Sequence, residues 1–242
     1  MTVRAVFLDL FNTLVGFQPE REEVQRQVCR QFGIDLPLET LRRVYATVEN
    51  QRAPRSRHTS GVLAEIAALD SWVEFQYRLL HSAGIAVSAG LAAQISEQYQ
   101  AVKRRLVVYD DVVPALAMLR ERRLILGLIS SAQRPVATII PDPQVLDSFD
   151  FVVTSAELDA EKPDPRIFAA ALRRAGVQAS EAMHVGDQYT NDLVGARDAG
   201  LQAVLLDRHG LWAELDCPRI GSLLDLPGFL AGLNPGSDGS AP

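Results

Sequence analysis

Two acidic motifs near opposite ends of the chain carry its chemistry, and they disagree about what that chemistry is. Asp9 opens the segment Asp9-Leu10-Phe11-Asn12-Thr13-Leu14, directly after the apolar run Val3–Leu8. Asp187 closes Val185-Gly186-Asp187 and is followed by Asn191-Asp192. A carboxylate at the end of a buried strand suits nucleophilic attack. Carboxylates grouped as in the second motif suit a hard divalent ion, which prefers oxygen ligands. Phe11 stands two residues after Asp9, and its side chain can neither give nor take a proton.

These residues need elements to hold them. Five short apolar runs read as buried strands: Val3–Leu8, Leu124–Ile129, Phe151–Thr154, Ala182–Val185 and Ala203–Leu206. Runs this short, bounded by Gly, Asp or Ser, suit a parallel sheet covered on both faces. Helical patterns separate them. Val113–Arg123 carries Leu116 and Leu119 on one face. Asp164-Pro165 is an N-cap and first helical residue for a stripe of Ile167, Phe168, Ala171 and Leu172 that Gly176 ends. Asp192 to Ala199 is a short helix stopped by Gly200. Alternating strand and helix implies right-handed crossovers and a doubly wound, Rossmann-like α/β sheet.

Residues 16–105 show helical periods and almost no strand signal. Val24, Val28 and Phe32 form one stripe, and Leu38, Leu41, Val44, Tyr45 and Val48 a second. Leu63, Ile66, Val73 and Leu80 suggest a third; Leu91, Ile95, Val102 and Leu106 suggest a fourth, with Ser88 as its N-cap. The polar stretch Asn50–Ser60 reads as a loop. The expected organisation is an α/β core over 1–15 and 106–232, a helical domain over 16–105 inserted after the first strand as a lid, and a disordered tail over 233–242.

Bulk properties narrow the function. The chain has 242 residues, 48% of them apolar and 22% charged, as in a globular protein. A net charge of -6 argues against a general nucleic-acid partner. No apolar run reaches the ~18–20 residues that cross a membrane. The start runs straight into a strand pattern without a signal-peptide layout, which predicts a cytoplasmic protein. Cys29 and Cys217 are far apart and read as two reduced thiols. Monomer and homodimer both remain open.

Four polar clusters follow four of the strands: Asp9, Ser130-Ser131, Lys162 in Glu161-Lys162-Pro163-Asp164-Pro165, and Asp187. A parallel sheet brings all four to one edge. Taken in order, Asp-x-x-x-Thr-Leu, strand-Ser-Ser, Lys-Pro-Asp-Pro-Arg-Ile-Phe and Val-Gly-Asp…Asn-Asp…Gly-Ala-Arg-x-Ala-Gly resemble the haloacid dehalogenase superfamily of hydrolases, with a helical, C1-type cap. The resemblance covers residues 1–15 and about 106–230. It implies that Asp9 is a nucleophile forming a covalent aspartyl-phosphate or ester. It implies that Ser130, with Ser131 as a second donor, binds a substrate oxygen, and that Lys162 neutralises charge beside Asp9. It implies that Asp9, the backbone carbonyl of Phe11 and Asp187 hold Mg2+, with Asp192 near the outer shell. Thr13 is expected to hold the loop through side-chain hydrogen bonds to backbone and to touch the substrate, with Asn12 beside it.

Other polar residues read as structural. His184 alternates within a buried strand as a core residue, Arg42 and Arg43 look like a solvated helix face, and Asp142 and Asp147 have no assigned role. Among aromatic residues, Trp72, Phe75 and Tyr77 suit either a pocket or a core.

Phe11 separates three readings. In the family's phosphatases the residue at this position protonates the leaving alkoxide and activates the water that follows; losing such a group typically costs ~10²–10⁴ in rate. Glu20 is a possible replacement. A halide leaves without a proton, and the family's metal-independent 2-haloacid dehalogenases resemble this chain at the first motif. They do not resemble it at Gly186-Asp187 and Asn191-Asp192, which are phosphatase-like. A carboxylate attacking a phosphate dianion meets like-charge repulsion that Mg2+ relieves. The preferred reading is a Mg2+-dependent hydrolase of a small phosphomonoester; the alternatives are the dehalogenase and a non-catalytic phosphometabolite-binding module.

Overall fold

In the computed structural model, residues 2–50, 71–132 and 134–233 are described. The 50–60 loop beyond Asn50, the helical positions Leu63 and Ile66 and the 233–242 tail beyond Leu233 lie outside them. Two compact units form, one from Met1–Gly16 with Leu106–Pro242 and one from Phe17–Arg105.

The first unit holds a parallel sheet. Among the described residues its strands are β1 (Ala5–Leu8), β4 (Ile125–Ser130), β5 (Phe151–Thr154), β6 (Ala182–Gly186), β7 (Gln202–Leu206) and β8 (Arg219–Ile220), in the order β5-β4-β1-β6-β7-β8. The chain builds outward from β1 to one side and then to the other, so strand order reverses at β1. Ligands gather beyond the carboxyl ends of strands at such a point. The five expected strands are all present within two residues at each end.

Strand alternation explains why both faces are buried. Val6 and Leu8 of β1, Leu126 and Leu128 of β4, Met183 and Val185 of β6 join one apolar cluster. Ala5, Phe7, Ile129, Val153, Ala203 and Leu205 join another on the opposite face. Helices cover both: among them α5 (Val112–Glu121), α8 (Pro165–Ala175) and α10 (Leu226–Leu233), counted along the chain after the four helices among the described residues of the second unit and the short α6 (Pro143–Asp147), α7 (Ser155–Leu158) and α9 (Gly195–Asp198). Asp164 caps α8 by accepting from Arg166 N at 2.9 Å, Pro165 is the first helical residue, and Gly176 ends it at φ +64°. Asp142, to which the sequence assigned no role, caps α6 by accepting from Gln144 N at 2.9 Å.

The second unit packs α1 (Arg21–Gln31), α2 (Leu38–Asn50), α3 (Ser71–Ser82) and α4 (Ala89–Ala101) around Val24, Val28, Leu41, Tyr45, Leu79, Leu80 and Ile95. Ser88 caps α4 as expected, accepting from Leu91 N. Two short strands were not foreseen: β2 (Val15–Gln18) and β3 (Arg105–Val108) pair with each other. Leu106, assigned to the fourth helical stripe, lies in β3. β2 is short, partly exposed and interrupted by Gly16, and the apolar run Leu106-Val107-Val108 of β3 merges in sequence with the end of a helical stripe.

Gly127 shows how tightly side chains of neighbouring strands fit over the sheet. A Cβ there would lie 2.5 Å from the Phe151 ring and 2.9 Å from the Phe7 ring, two rings that meet edge to face. Gly127→Ala is expected to lower unfolding free energy by about 1–3 kcal/mol through overpacking. Urea denaturation checks this; an unchanged midpoint would mean that the two rings move aside freely.

Candidate functional site

The loop after β1 begins with Asp9, whose amide donates to Val185 O of β6 at 2.9 Å. That bond sets Asp9 beside the end of β6, next to Gly186 and Asp187. The loop then closes on itself. Leu10 O accepts from Leu14 N and Val15 N, at 2.9 and 3.0 Å, and Asn12 N donates to Val15 O at 2.7 Å. Asn12 takes a left-handed backbone, φ 59°, which Asn tolerates better than most residues. Leu10 and Leu14 anchor the loop in the apolar cluster, and Phe11 packs against the same cluster.

Thr13 corrects one expectation. Its Oγ1 is buried without a hydrogen-bond partner among the described residues, so it does not hold the loop. The backbone does that itself, with Arg208 donating to the carbonyl oxygens of Asn12 and Thr13.

Lys162 arrives from the loop before α8. Its Nζ lies 2.5 Å from Asp9 Oδ1 and 2.5 Å from Asp192 Oδ1, and all three side chains are buried. Burial alone would push the ammonium down, but the carboxylates of Asp192 and Asp9 outweigh it and hold Lys162 cationic above its ordinary range. Asp192 is held well below the carboxylate range: burial opposes this, but Lys162 and then His184 stabilise its charge. Asp9 is pushed up, chiefly by burial, with Lys162 pulling down and Asp192 pushing up.

Asp192 sits in a π-helical turn, Tyr189–Val194. The expected helix from Asp192 to Ala199 thus has a wider first turn and only α9 as regular helix. Asp192 Oδ1 also meets His184 Nε2 at 2.9 Å, and Oδ2 accepts from Gln188 N at 3.0 Å. His184 is buried in β6 as expected, with Phe168 edge-on at 5.3 Å, but sequence reasoning missed its bond to Asp192. A histidine eight residues before an aspartate, with a strand end and a turn between, was the available signal. Gly186 has a physical reason: a Cβ there would lie 2.3 Å from Asp192 Cγ. Gly195 has another, since its Cβ would lie 2.7 Å from Pro163 Cβ.

Asp9, Asp187 and Asp192 each offer a carboxylate oxygen within 4.8 Å of the others. Asn12 Nδ2 donates to Asp187 Oδ2 at 3.1 Å, so Asn12 joins the two motifs. Ser130, buried at the end of β4, accepts from Ala132 N at 3.2 Å through Oγ. Ser131 is exposed.

The chain matches the haloacid dehalogenase-like hydrolases over residues 3–200. It belongs to that family. Among relatives, haloacid dehalogenase-like hydrolase domain-containing protein 3 of Danio rerio is 30% identical over 94% of this chain and 96% of its own. Glyceraldehyde 3-phosphate phosphatase of Methanopyrus kandleri is 30% identical over 94% of this chain and 92% of its own. Of solved structures, a 2-haloacid dehalogenase from Pseudomonas syringae is similar at a TM-score of 0.56 and 25% identity, covering 96% of this chain and 100% of that one. A family phosphatase from Thermococcus onnurineus matches at a TM-score of 0.54 and 24% identity, covering 95% and 99%. The shared fold therefore does not choose between halide and phosphate.

Several residues of this family member lie in structural pairs instead. Glu20 and Arg42 pair at 3.0 Å and Arg43 pairs with Glu39 at 3.3 Å, all within the helical unit. Phe75 packs against the helical core beside Tyr45, and Tyr77 stacks on His81.

Lys162→Met would leave two buried carboxylates side by side without their cation, and is expected to cost about 3–5 kcal/mol of stability. Adding Asp192→Asn should recover part of that loss, because it removes one of the two repelling charges. Urea unfolding of the wild type, both single variants and the double variant measures this coupling. Strictly additive losses would mean that Lys162 and Asp192 do not interact.

Proposed function

We propose that this chain is a Mg2+-dependent phosphohydrolase that acts on a small phosphomonoester through an aspartyl-phosphate on Asp9. The observation that carries the reading is the grouping of Asp9, Asp187 and Asp192 around a locked lysine. Among the described residues the grouped candidate ligands are all carboxylates, which fits a hard divalent ion. Both oxygens of Asp192 already accept from protein donors, so the ion's direct ligands in this reading are Asp9, the Phe11 carbonyl and Asp187, with Asp192 acting from the outer shell. When bound, Mg2+ supplies positive charge that offsets the repulsion between a carboxylate and a phosphate dianion.

In this reading a carboxylate oxygen of Asp9 forms the bond to phosphorus as the ester bond breaks, and the leaving oxygen departs with the bonding electrons. Ser130 and Thr13 bind the transferring phosphoryl oxygens; the buried and unpartnered Thr13 hydroxyl supports its part. Ser131 is a more exposed second donor. Lys162 is a fixed positive charge, not a proton donor, because two carboxylates hold its proton. Phe11 leaves the departing alkoxide without an acid and the aspartyl-phosphate without a base. The relatives named as phosphatases for glyceraldehyde 3-phosphate and phosphoserine support a small phosphorylated substrate.

One experiment addresses each step. With p-nitrophenyl phosphate, whose leaving group needs no acid, wild type with Mg2+ should show a burst of about one equivalent and then slow turnover, a consequence of the missing base. EDTA and Asp9→Asn should each abolish the burst. Phe11→Asp should raise steady turnover of alkyl phosphomonoesters by about 10²–10⁴. Absence of any Mg2+-dependent release in folded wild type would sink the proposal. Phe11 itself favours a second reading, a dehalogenase, since halide leaves unprotonated; chloride release from 2-chloropropionate in EDTA would establish it, and none would remove it.

A further inference from the structure

Arg208 lies just beyond β7 and is half-buried. Its guanidinium works in two directions. Toward the Asp9 loop, Nη2 donates to Thr13 O at 2.8 Å and Nε to Asn12 O at 3.3 Å. Away from it, Nη1 and Nη2 grip both oxygens of Asp111 at 2.7 and 3.0 Å. The Tyr109 ring lies under the guanidinium, 4.3 Å from ring centre to Cζ. Asp111 is itself fixed, accepting from Ser222 Oγ at 2.7 Å and Leu223 N at 2.9 Å.

Only a planar fork with several donors can make all these contacts at once; a lysine's point charge cannot. The fork matters because of what it holds. Asn12 carries an unfavourable left-handed backbone, and its carbonyl is one of the two that Arg208 grips. Its side chain donates to Asp187. The residue before it, Phe11, presents the carbonyl that the proposed metal site uses. A free loop would relax Asn12, swing the Phe11 carbonyl and release Asp187 together. The bonds to charged Arg208 are stronger than bonds between neutral groups and oppose that relaxation.

We infer that Arg208 is a positioning residue: braced by Asp111 and Tyr109, it clamps the Asn12–Thr13 backbone and so sets the geometry of the Asp9 loop and of Asp187. The clamp stands on the geometry above; its consequence for metal affinity rests on the proposed function.

Hydrogen exchange of the full-length protein without metal tests the clamp directly. The amides of Asn12, Leu14 and Val15 are bonded inside the turn and report on it. In Arg208→Met their exchange should accelerate by about 10- to 100-fold, the loss expected for hydrogen bonds to a charged group, while amides of β4 and β6 keep wild-type protection. Arg208→Lys, which keeps the charge and loses the fork, should fall between the two, and it carries the test if the Met variant does not fold. Unchanged loop exchange would overturn the inference. So would equal acceleration across loop and sheet, which would make Arg208 a general stabiliser. A second arm titrates Mn2+ alone, followed by electron paramagnetic resonance. Arg208→Met should weaken binding by about 10- to 100-fold, as for other outer-shell partners of metal ligands. Wild type that binds no Mn2+ would sink the proposed metal site and leave the exchange result to decide the clamp.

Discussion

One ammonium group shared between two buried carboxylates organises this protein. Lys162 reaches Asp9 and Asp192 equally, yet the two acids are not equal. Asp192 also has His184 and the Gln188 amide, so its charge is met on every side. Asp9 depends on a cation that it shares, and burial pushes it up. A carboxylate that is desolvated and only partly compensated keeps its electron pairs available. The arrangement gives most of its donors to Asp192 and fewer to Asp9, an asymmetry that suits the nucleophile proposed above.

Breaking such a set would leave uncompensated charge in the interior, a cost of several kcal/mol. Much of the surrounding packing is explained by the need to avoid that. β1 and β6 are neighbours, so Asp9 and Asp187 start from adjacent strand ends. Gly186 has no side chain because the Asp192 carboxylate fills the space. Gly195 has none because Pro163, next to Lys162, lies against it. Asp192 lies buried in the wide turn Tyr189–Val194. Each feature is modest alone. Together they fix three loops around one cation.

Local patterns in the sequence were enough to show the frame. Five apolar runs became five strands of the sheet, and Asp164-Pro165…Gly176 bounded a helix as its capping chemistry requires. The acids and the lysine stood out because strand ends in a parallel sheet share an edge. What stayed hidden depended on distant partners. β2 and β3 pair across some ninety residues of sequence and lack any alternation that marks a strand. His184 looks like a core residue, and it is one; its second face toward Asp192 follows from the turn between them. Thr13 was expected to hold its own loop, but the holding group comes from residue 208, far along the chain. Arginines after strands are common on surfaces, and nothing local distinguishes this one.

The same accounting bears on Phe11. Its ring packs on the apolar cluster while its carbonyl stays in the loop, so a phenylalanine here is compatible with the frame and, in the proposed reading, removes a source of protons. No other group in the core unit's buried network takes over that supply. Lys162 is held cationic by two acids and Asp192 is held anionic by three donors. His184 is enclosed behind Asp192, its side chain fully buried. Asp187 is bonded by Asn12 and belongs to the proposed metal site. Lys162 and Asp192 are thus each locked in one charge state, and His184 is closed to solvent. In the proposed reading a proton for the leaving group comes from outside this network, which favours substrates whose leaving groups tolerate that supply.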